Sequence, residues 1–283
     1  MRDYLELTKP RITVLTLICT AVGYWFGSGS SFRFLVLAHA LLGTAWLASG
    51  TSALNQWYEA DSDAKMSRTR MRPIPAGRIK RSHGFIFGVL LSAAGFAELW
   101  CGANRLTAVL GLFTLLSYLL LYTPLKRRSP ACTTVGAVSG AMPPLIGYAA
   151  ATGNIDARAL ALFLILFVWQ FPHFDAIAWM YRDDYRRGGI RMLPVVEPDG
   201  ESTVKRVVLC SVLLIPISLL PPFLGMAGPL YAAAAIASGL GLLYFGARLA
   251  RERTLIRARS LLLASVSYLP VLLGVLVLDR RVL

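Results

Sequence analysis

Asn55, Glu59 and Asp63 are spaced i, i+4, i+8 in the stretch Asn55-Gln-Trp-Tyr-Glu59-Ala-Asp61-Ser-Asp63. On a helix this spacing puts three oxygen-bearing side chains on one face. Hard oxygen donors stacked in this way suit Mg²⁺, which is held by one or two carboxylates together with water and phosphate oxygens. Arg68, Arg70 and Arg72 follow directly, and arginines clamp phosphate. Carboxylates followed by arginines point to a metal-bridged diphosphate. A helix end solvated by mixed charge is the other reading of the same residues.

A second stretch, Trp169-Gln-Phe-Pro172-His173-Phe-Asp175 continuing to Tyr181-Arg182-Asp183-Asp184-Tyr185-Arg186-Arg187, again sets acids beside arginines. His173 and Asp175 lie further back, within apolar sequence. With a helical rise of 1.5 Å per residue, His173 sits roughly 12 Å in from Tyr181. Ionisable residues inside a membrane are costly and mark function by default, although a neutral histidine satisfied by a neighbouring helix is the plainer alternative. Pro143-Pro144 and Pro172 break backbone hydrogen bonding, and such breaks face a cavity or another helix rather than lipid. Tyr122-Thr-Pro-Leu-Lys126-Arg127-Arg128 is a cationic turn; it serves as a membrane anchor or directs Lys126 to the diphosphate. His39 reads as a packing residue, His83 as a surface residue, and Glu98 as reaching an interface.

These groups need elements to hold them, and the composition says which. The chain has 283 residues, 56% hydrophobic and 16% charged, against roughly 25% charged in soluble domains. Nine apolar runs follow one another: about 12–27, 32–54, 84–100, 106–123, 131–151, 157–179, 207–226, 229–245 and 261–278. Runs of about 17 to 25 residues are long enough to cross the hydrocarbon core as helices. They do not alternate polar with apolar, which excludes a strand barrel. The expectation is an all-α, polytopic membrane protein, a bundle of nine transmembrane helices in one domain, 1–283. Of 29 lysines and arginines, 24 fall before run 1 or in the loops after runs 2, 4, 6 and 8. The positive-inside rule then puts the N-terminus in the cytoplasm and the C-terminus, at Leu283, on the other side.

The net charge of +14 is thereby assigned to the membrane surface, and nucleic-acid binding is not expected. The two acidic loops, 55–83 and 180–206, are both cytoplasmic and four helices apart. Two four-helix repeats and a ninth helix account for that offset, with a short helix expected in each loop. Cys19, Cys101, Cys132 and Cys210 are scattered without C-x-x-C spacing and read as packing residues. Asp3 and Glu6 in the N-terminal segment argue for a retained first helix rather than a signal peptide.

With these residues in place, the chain resembles the UbiA-type intramembrane prenyltransferase superfamily, which has nine helices and acidic motifs on the cytoplasmic loops after helices 2 and 6. The superfamily's first motif, Asn-Asp-x-x-Asp-x-x-x-Asp, is matched by Asn55-Gln56-x-x-Glu59-x-x-x-Asp63. Its haem branch, the protohaem IX farnesyltransferases (haem o synthases), is matched by Asn55-Gln-Trp-Tyr-Glu-Ala-Asp, Met66-x-Arg-Thr-x-x-Arg-Pro73, Tyr122-Thr-Pro-Leu-Lys126, Trp169-Gln-x-Pro-His173-Phe, Asp184-Tyr185 and Met192-Leu-Pro-Val-Val196. Three departures stand out. Glu59 replaces an Asp and keeps a carboxylate with a longer reach. Gln56 replaces an acid and keeps a hydrogen-bonding role. His173-Phe174 stands where enzymes of quinone precursors carry Asp, which shifts the expected acceptor toward a porphyrin.

The resemblance implies transfer of farnesyl from farnesyl diphosphate to the 2-vinyl group of haem b, with water added, giving haem o and diphosphate. It implies Mg²⁺ held by Asn55, Glu59, Asp63 and Asp184, with Asp183 beside it. Arg68, Arg72, Lys126 and Arg182 are the implied diphosphate cations. His173 faces the haem, as an iron ligand or as an acid/base when the vinyl-derived cation is hydrated; Asp175 orients it only if Pro172 distorts the helix. The bilayer and a downstream haem-modifying oxidase are the further implied partners, and the bacterial cytoplasmic (inner) membrane the implied location. A quinone precursor or chlorophyllide is the alternative acceptor. A transporter is the alternative class, disfavoured because the charges gather at one surface rather than at the midplane.

Overall fold

An apolar run in a membrane can satisfy its backbone only by coiling on itself, and each of the nine runs is helical in the computed structural model, which describes residues 1–281. In chain order the helices are α1 (Arg2–Leu7), α2 (Pro10–Gly27), α3 (Phe34–Asp63), α4 (Arg81–Gly102), α5 (Arg105–Leu116), α6 (Thr123–Leu125), α7 (Cys132–Thr152), α8 (Ala157–Met180), α9 (Arg182–Arg187), α10 (Leu193–Val196), α11 (Glu201–Ser218), α12 (Leu220–Phe223), α13 (Pro229–Arg251) and α14 (Leu255–Leu278). A π-helical turn, Ser117–Tyr122, joins α5 to α6. Among the described residues there is no sheet, only an isolated bridge between Ala227 and Arg280. Leu283, the expected far-side terminus, lies outside the described residues.

Seven segments of the described chain are long and apolar enough to cross a membrane: Phe34–Asp63, Arg81–Gly102, Arg105–Leu125, Ala157–Met180, Glu201–Phe223, Pro229–Arg251 and Leu255–Leu278. The other two runs form α2 and α7. The α7 helix is built largely from Gly, Ala, Ser, Thr and Pro, and most of it is buried by its neighbours. Its closeness to α2 depends on glycine: a Cβ on Gly147 would come within 1.8 Å of the Thr20 carbonyl oxygen, and one on Gly23 within 2.1 Å of that of Pro144. Small residues at a membrane helix contact let backbones approach and pack without a hydrophobic driving force.

The chain resolves into two compact units. The first comprises residues 1–155 together with 183–191; the second comprises 156–182 and the chain from Met192 onward. The boundary falls after the fifth run, where α7 packs with α2 and α5. The segment 183–191 of the second acidic loop is part of the first unit.

The loops also differ from expectation. The second contains the short helices α9 and α10. The first, 64–80, has no helix of its own and is a succession of turns. Pro73 and Pro75 lack the amide protons a helix needs. Gly77 takes φ +72°, a conformation glycine adopts at little steric cost. Ile79 N donates to Pro73 O (3.0 Å), which closes the loop.

Candidate active site

The apolar part of α3 ends near Leu54, yet the helix continues to Asp63. That extension carries Asn55, Glu59 and Asp63 on one face, and all three are buried, at 1%, 7% and 1% exposure. Buried carboxylates require partners, and each member of the row meets one cation from a different part of the first unit. Lys9 Nζ donates to Asn55 Oδ1 (3.1 Å). Lys126 Nζ donates to Glu59 Oε1 (2.8 Å). Arg72 Nη1 donates to Asp63 Oδ2 (2.6 Å). Asn55 Nδ2 also donates to Thr123 Oγ1 (3.4 Å).

Lys126 is delivered by the π-helical turn and Pro124, which end the fourth run. π-Helical turns occur frequently at functional sites. The Lys126 ammonium lies 4.3 Å from the ring centroid of Tyr122 and 5.9 Å from that of Tyr118. Burial disfavours its charge, but the Glu59 carboxylate beside it wins and holds Lys126 well above the ordinary lysine value. Lys9 has no such carboxylate in contact. Burial first, then the charges of Arg72 and Lys126, push it down to about 7.

Asp184 does not join the row. Its two oxygens accept the backbone amides of Ser67 (3.1 Å) and Arg68 (3.1 Å), and Arg187 pairs with the same carboxylate. Desolvation opposes the charge, but Arg187 and the two amides hold the carboxyl below its usual range. Asp183 is exposed and pairs with Arg186 (3.2 Å). The Arg68 side chain turns to Tyr185 OH (3.5 Å). Arg182 belongs to the second unit, where its guanidinium lies 4.8 Å from the Trp179 ring centroid. The first unit therefore brings together Asn55, Glu59, Asp63, Arg72 and Lys126. It uses Asp184 to fasten segment 183–191 to the first loop.

Sequence reasoning missed Lys9, Thr123 and Arg127, whose Nη2 donates to Ser62 Oγ (2.6 Å). The available signal for Lys9 was a lysine directly before a proline at the mouth of an apolar run. Gln56 behaves as its neutral side chain implied, donating Nε2 to Leu7 O (3.0 Å).

The donor set fits a particular kind of metal site. Among the described residues no three His, Cys, Asp or Glu side chains gather as a cage. The row offers two carboxylates and an amide. That matches Mg²⁺, which takes one or two carboxylates and completes its shell with water and phosphate oxygens. Cations facing the same row suit the phosphate.

In the second unit, His173 and Asp175 part company. The His173 Nδ1 is 2.9 Å from Ser265 Oγ, and its ring stacks on Trp169, centroids 4.7 Å apart. The Trp169 indole donates to Ser265 O (2.8 Å). Asp175 is fully buried and paired with Arg206 through two contacts, Nε to Oδ2 at 2.8 Å and a second from Nη2 to Oδ1. Asp175 thus does not orient the imidazole. Two residues along a helix point about 200° apart, and Pro172 does not undo that.

Residues 16–269 match the UbiA prenyltransferase family. A relative from Solibacter usitatus, named Protoheme IX farnesyltransferase, is 55% identical over 99% of each chain. One of the same name from Koribacter versatilis is 46% identical over 100% of this chain and 94% of its own. Among solved structures, one described for digeranylgeranylglyceryl phosphate synthase in membranes superposes with a TM-score of 0.82 at 18% identity, covering 98% of this chain and 97% of that one. A UbiA homologue from Archaeoglobus fulgidus bound to GPP and Mg²⁺ gives 0.70 at 16% identity, with 97% and 99% covered. At such identities the structures speak for the fold.

Proposed function

The chain belongs to the UbiA prenyltransferase family, and on that premise we propose that it is a farnesyltransferase of haem. The C1–oxygen bond of farnesyl diphosphate breaks, C1 bonds to the terminal carbon of the 2-vinyl group of haem b, water adds its hydroxyl to the adjoining carbon and gives up a proton, and haem o and diphosphate leave. The observation that carries the proposal is the row Asn55, Glu59, Asp63 set against Lys9, Lys126 and Arg72. The acceptor rests on the name of the 55%-identical relative and on the polar and aromatic setting of His173.

Asn55, Glu59 and Asp63 would hold Mg²⁺, as the Mg²⁺ of a fold relative suggests. When bound, Mg²⁺ screens the diphosphate charge. Lys126 and Arg72, half-buried beside the row, neutralise the oxygens that gain charge as C1 becomes allylic-cation-like; such stabilisation is strongest where water is excluded. His173 serves the haem side. The enzyme works as a single domain of nine membrane helices in the bacterial cytoplasmic membrane, N-terminus inside, with the bilayer supplying the farnesyl substrate. A haem-modifying oxidase takes the product.

The test is farnesyl-diphosphate-dependent conversion of haem b by the purified chain in detergent, with and without chelator. Conversion that stops on chelation and returns with Mg²⁺ is expected. Prenylation of a quinone precursor but not haem would move the acceptor; no turnover with any acceptor would overturn the reading. A periplasmic signal from a reporter fused after Leu283 is expected of the topology.

A further inference from the structure

Lys9 is placed in a way that its local sequence does not explain. It caps α2 in the left-handed region, with φ +49° and ψ +61°. Among the described residues it is the one non-glycine with positive φ. Lysine is poorly suited to that conformation, which glycine or asparagine adopts more readily. Nor does its side chain cap the helix. Strained residues of this sort persist only where surrounding structure holds them, and they cluster at functional sites.

The holding structure is on both sides of the residue. Lys9 N donates to Glu6 O (3.3 Å), and Ile12 N and Thr13 N both donate to Lys9 O. The Thr13 hydroxyl donates to Thr8 O (3.0 Å). Upstream, Leu7 is fully buried in a cluster with Ala53, Ala60, Ile74 and Ile79, and its carbonyl accepts from Gln56. Arg78 pairs with both Asp3 and Glu6. The turn therefore cannot relax without undocking α1, and its outcome is an ammonium on Asn55.

We propose that Lys9 is a further substrate-binding cation, a third positive contact for the diphosphate of the prenyl substrate beside Lys126 and Arg72. This rests on the prenyltransferase reading above. The family match begins at residue 16, so Lys9 and the α1 segment that sets it lie outside it. The Lys9 ammonium is seated on a neutral amide with no carboxylate in hydrogen-bond contact, unlike Lys126 on Glu59 and Arg72 on Asp63. It is the cation of the three with most to gain from an arriving phosphate oxygen.

The experiment measures binding of inorganic diphosphate and of farnesyl diphosphate, with Mg²⁺, to the full chain in detergent. It compares wild type with Lys9→Gly, Lys9→Met and Lys9→Arg, and records thermal melting of each. Lys9→Gly is the decisive variant, because it removes the ammonium and relaxes the backbone at once. It should melt at or above wild type yet bind both ligands about tenfold more weakly, the loss of one charge-assisted contact. Lys9→Met should weaken binding alike, and Lys9→Arg should recover most of it. Wild-type-like binding by Lys9→Gly overturns the proposal and leaves the prenyltransferase reading intact. Failure of wild type to bind either ligand overturns both.

Discussion

The two units each bury polar groups within helices, and they do so differently. In the first, each member of the Asn55, Glu59, Asp63 row meets a single cation, from the turn before α2, the turn after α6 and the first loop. In the second, Asp175 is gripped through both oxygens by one arginine, and His173 rests on a hydroxyl and an indole ring. A carboxylate engaged once keeps lone pairs for a ligand. One engaged through both oxygens by a planar guanidinium keeps fewer and is held in a fixed orientation. The first arrangement suits binding, the second suits holding a helix in place, and substitutions at the two should therefore fail in different ways.

The largest effect is expected at the row. Glu59→Gln and Asp63→Asn each remove a negative ligand at almost constant volume, so the protein should stay folded in the membrane. Turnover of haem b should fall by about a hundred- to a thousandfold, the scale seen when a preorganised electrostatic contact to a transition state is lost. Near-normal Mg²⁺-dependent activity in either variant would reduce the row to a solvated helix end.

At Asp175 the loss should appear in stability instead. Asp175→Ala takes away the buried carboxylate that pairs with Arg206, and breaking such a pair costs about 3–5 kcal/mol. A sharply lower melting temperature in detergent is expected, with diphosphate affinity of the folded fraction unchanged. Weakened diphosphate binding at wild-type stability would erase the contrast between the two units.

His173 tests the other half of that contrast. His173→Ala should lower haem conversion by about a hundredfold, within the range for removal of a general acid or base, while farnesyl diphosphate binds as in wild type. If diphosphate binding weakens and haem binding survives, the histidine belongs with the metal site.

The legibility of these features follows their physics. Nine apolar runs and the i, i+4, i+8 row were readable, because helix period and hydrophobic length are local properties of sequence. Arg72 and Lys126 were readable as cations near acids. Lys9 was not, because a left-handed turn at a lysine contradicts local preference and is imposed by tertiary contacts of α1. The boundary after α7 was hidden for a similar reason: it depends on glycines that let α2 and α7 approach, and glycine spacing alone names no partner. The second acidic loop reads as part of a metal-ligand set, and acids beside arginines look alike in sequence whether they bind or fasten.

Asp184 is where that last ambiguity can be resolved, with the smallest expected effect. Its oxygens accept the Ser67 and Arg68 amides and face Arg187, while Gly188 lies so close to Met66 that a Cβ would come within 2.9 Å of its side chain. Arg191 N also donates to Lys126 O (2.7 Å), which ties the same segment to the turn that carries a site cation. Asp184→Asn keeps one accepting oxygen and loses the charge. The charge-assisted bonds give way to neutral ones, a difference of about 1 kcal/mol, so loosening the loop that bears Arg72 should raise the KM for farnesyl diphosphate by roughly three- to tenfold. The maximal rate should change little, and the Mg²⁺ concentration for half-maximal activity should stay where it is in wild type. A metal ligand would behave otherwise: its loss would shift the Mg²⁺ requirement first and the KM only through it. Titrating Mg²⁺ at saturating farnesyl diphosphate separates the two, and a shift of about tenfold or more, the penalty of losing one ligand contact, would return Asp184 to the metal site.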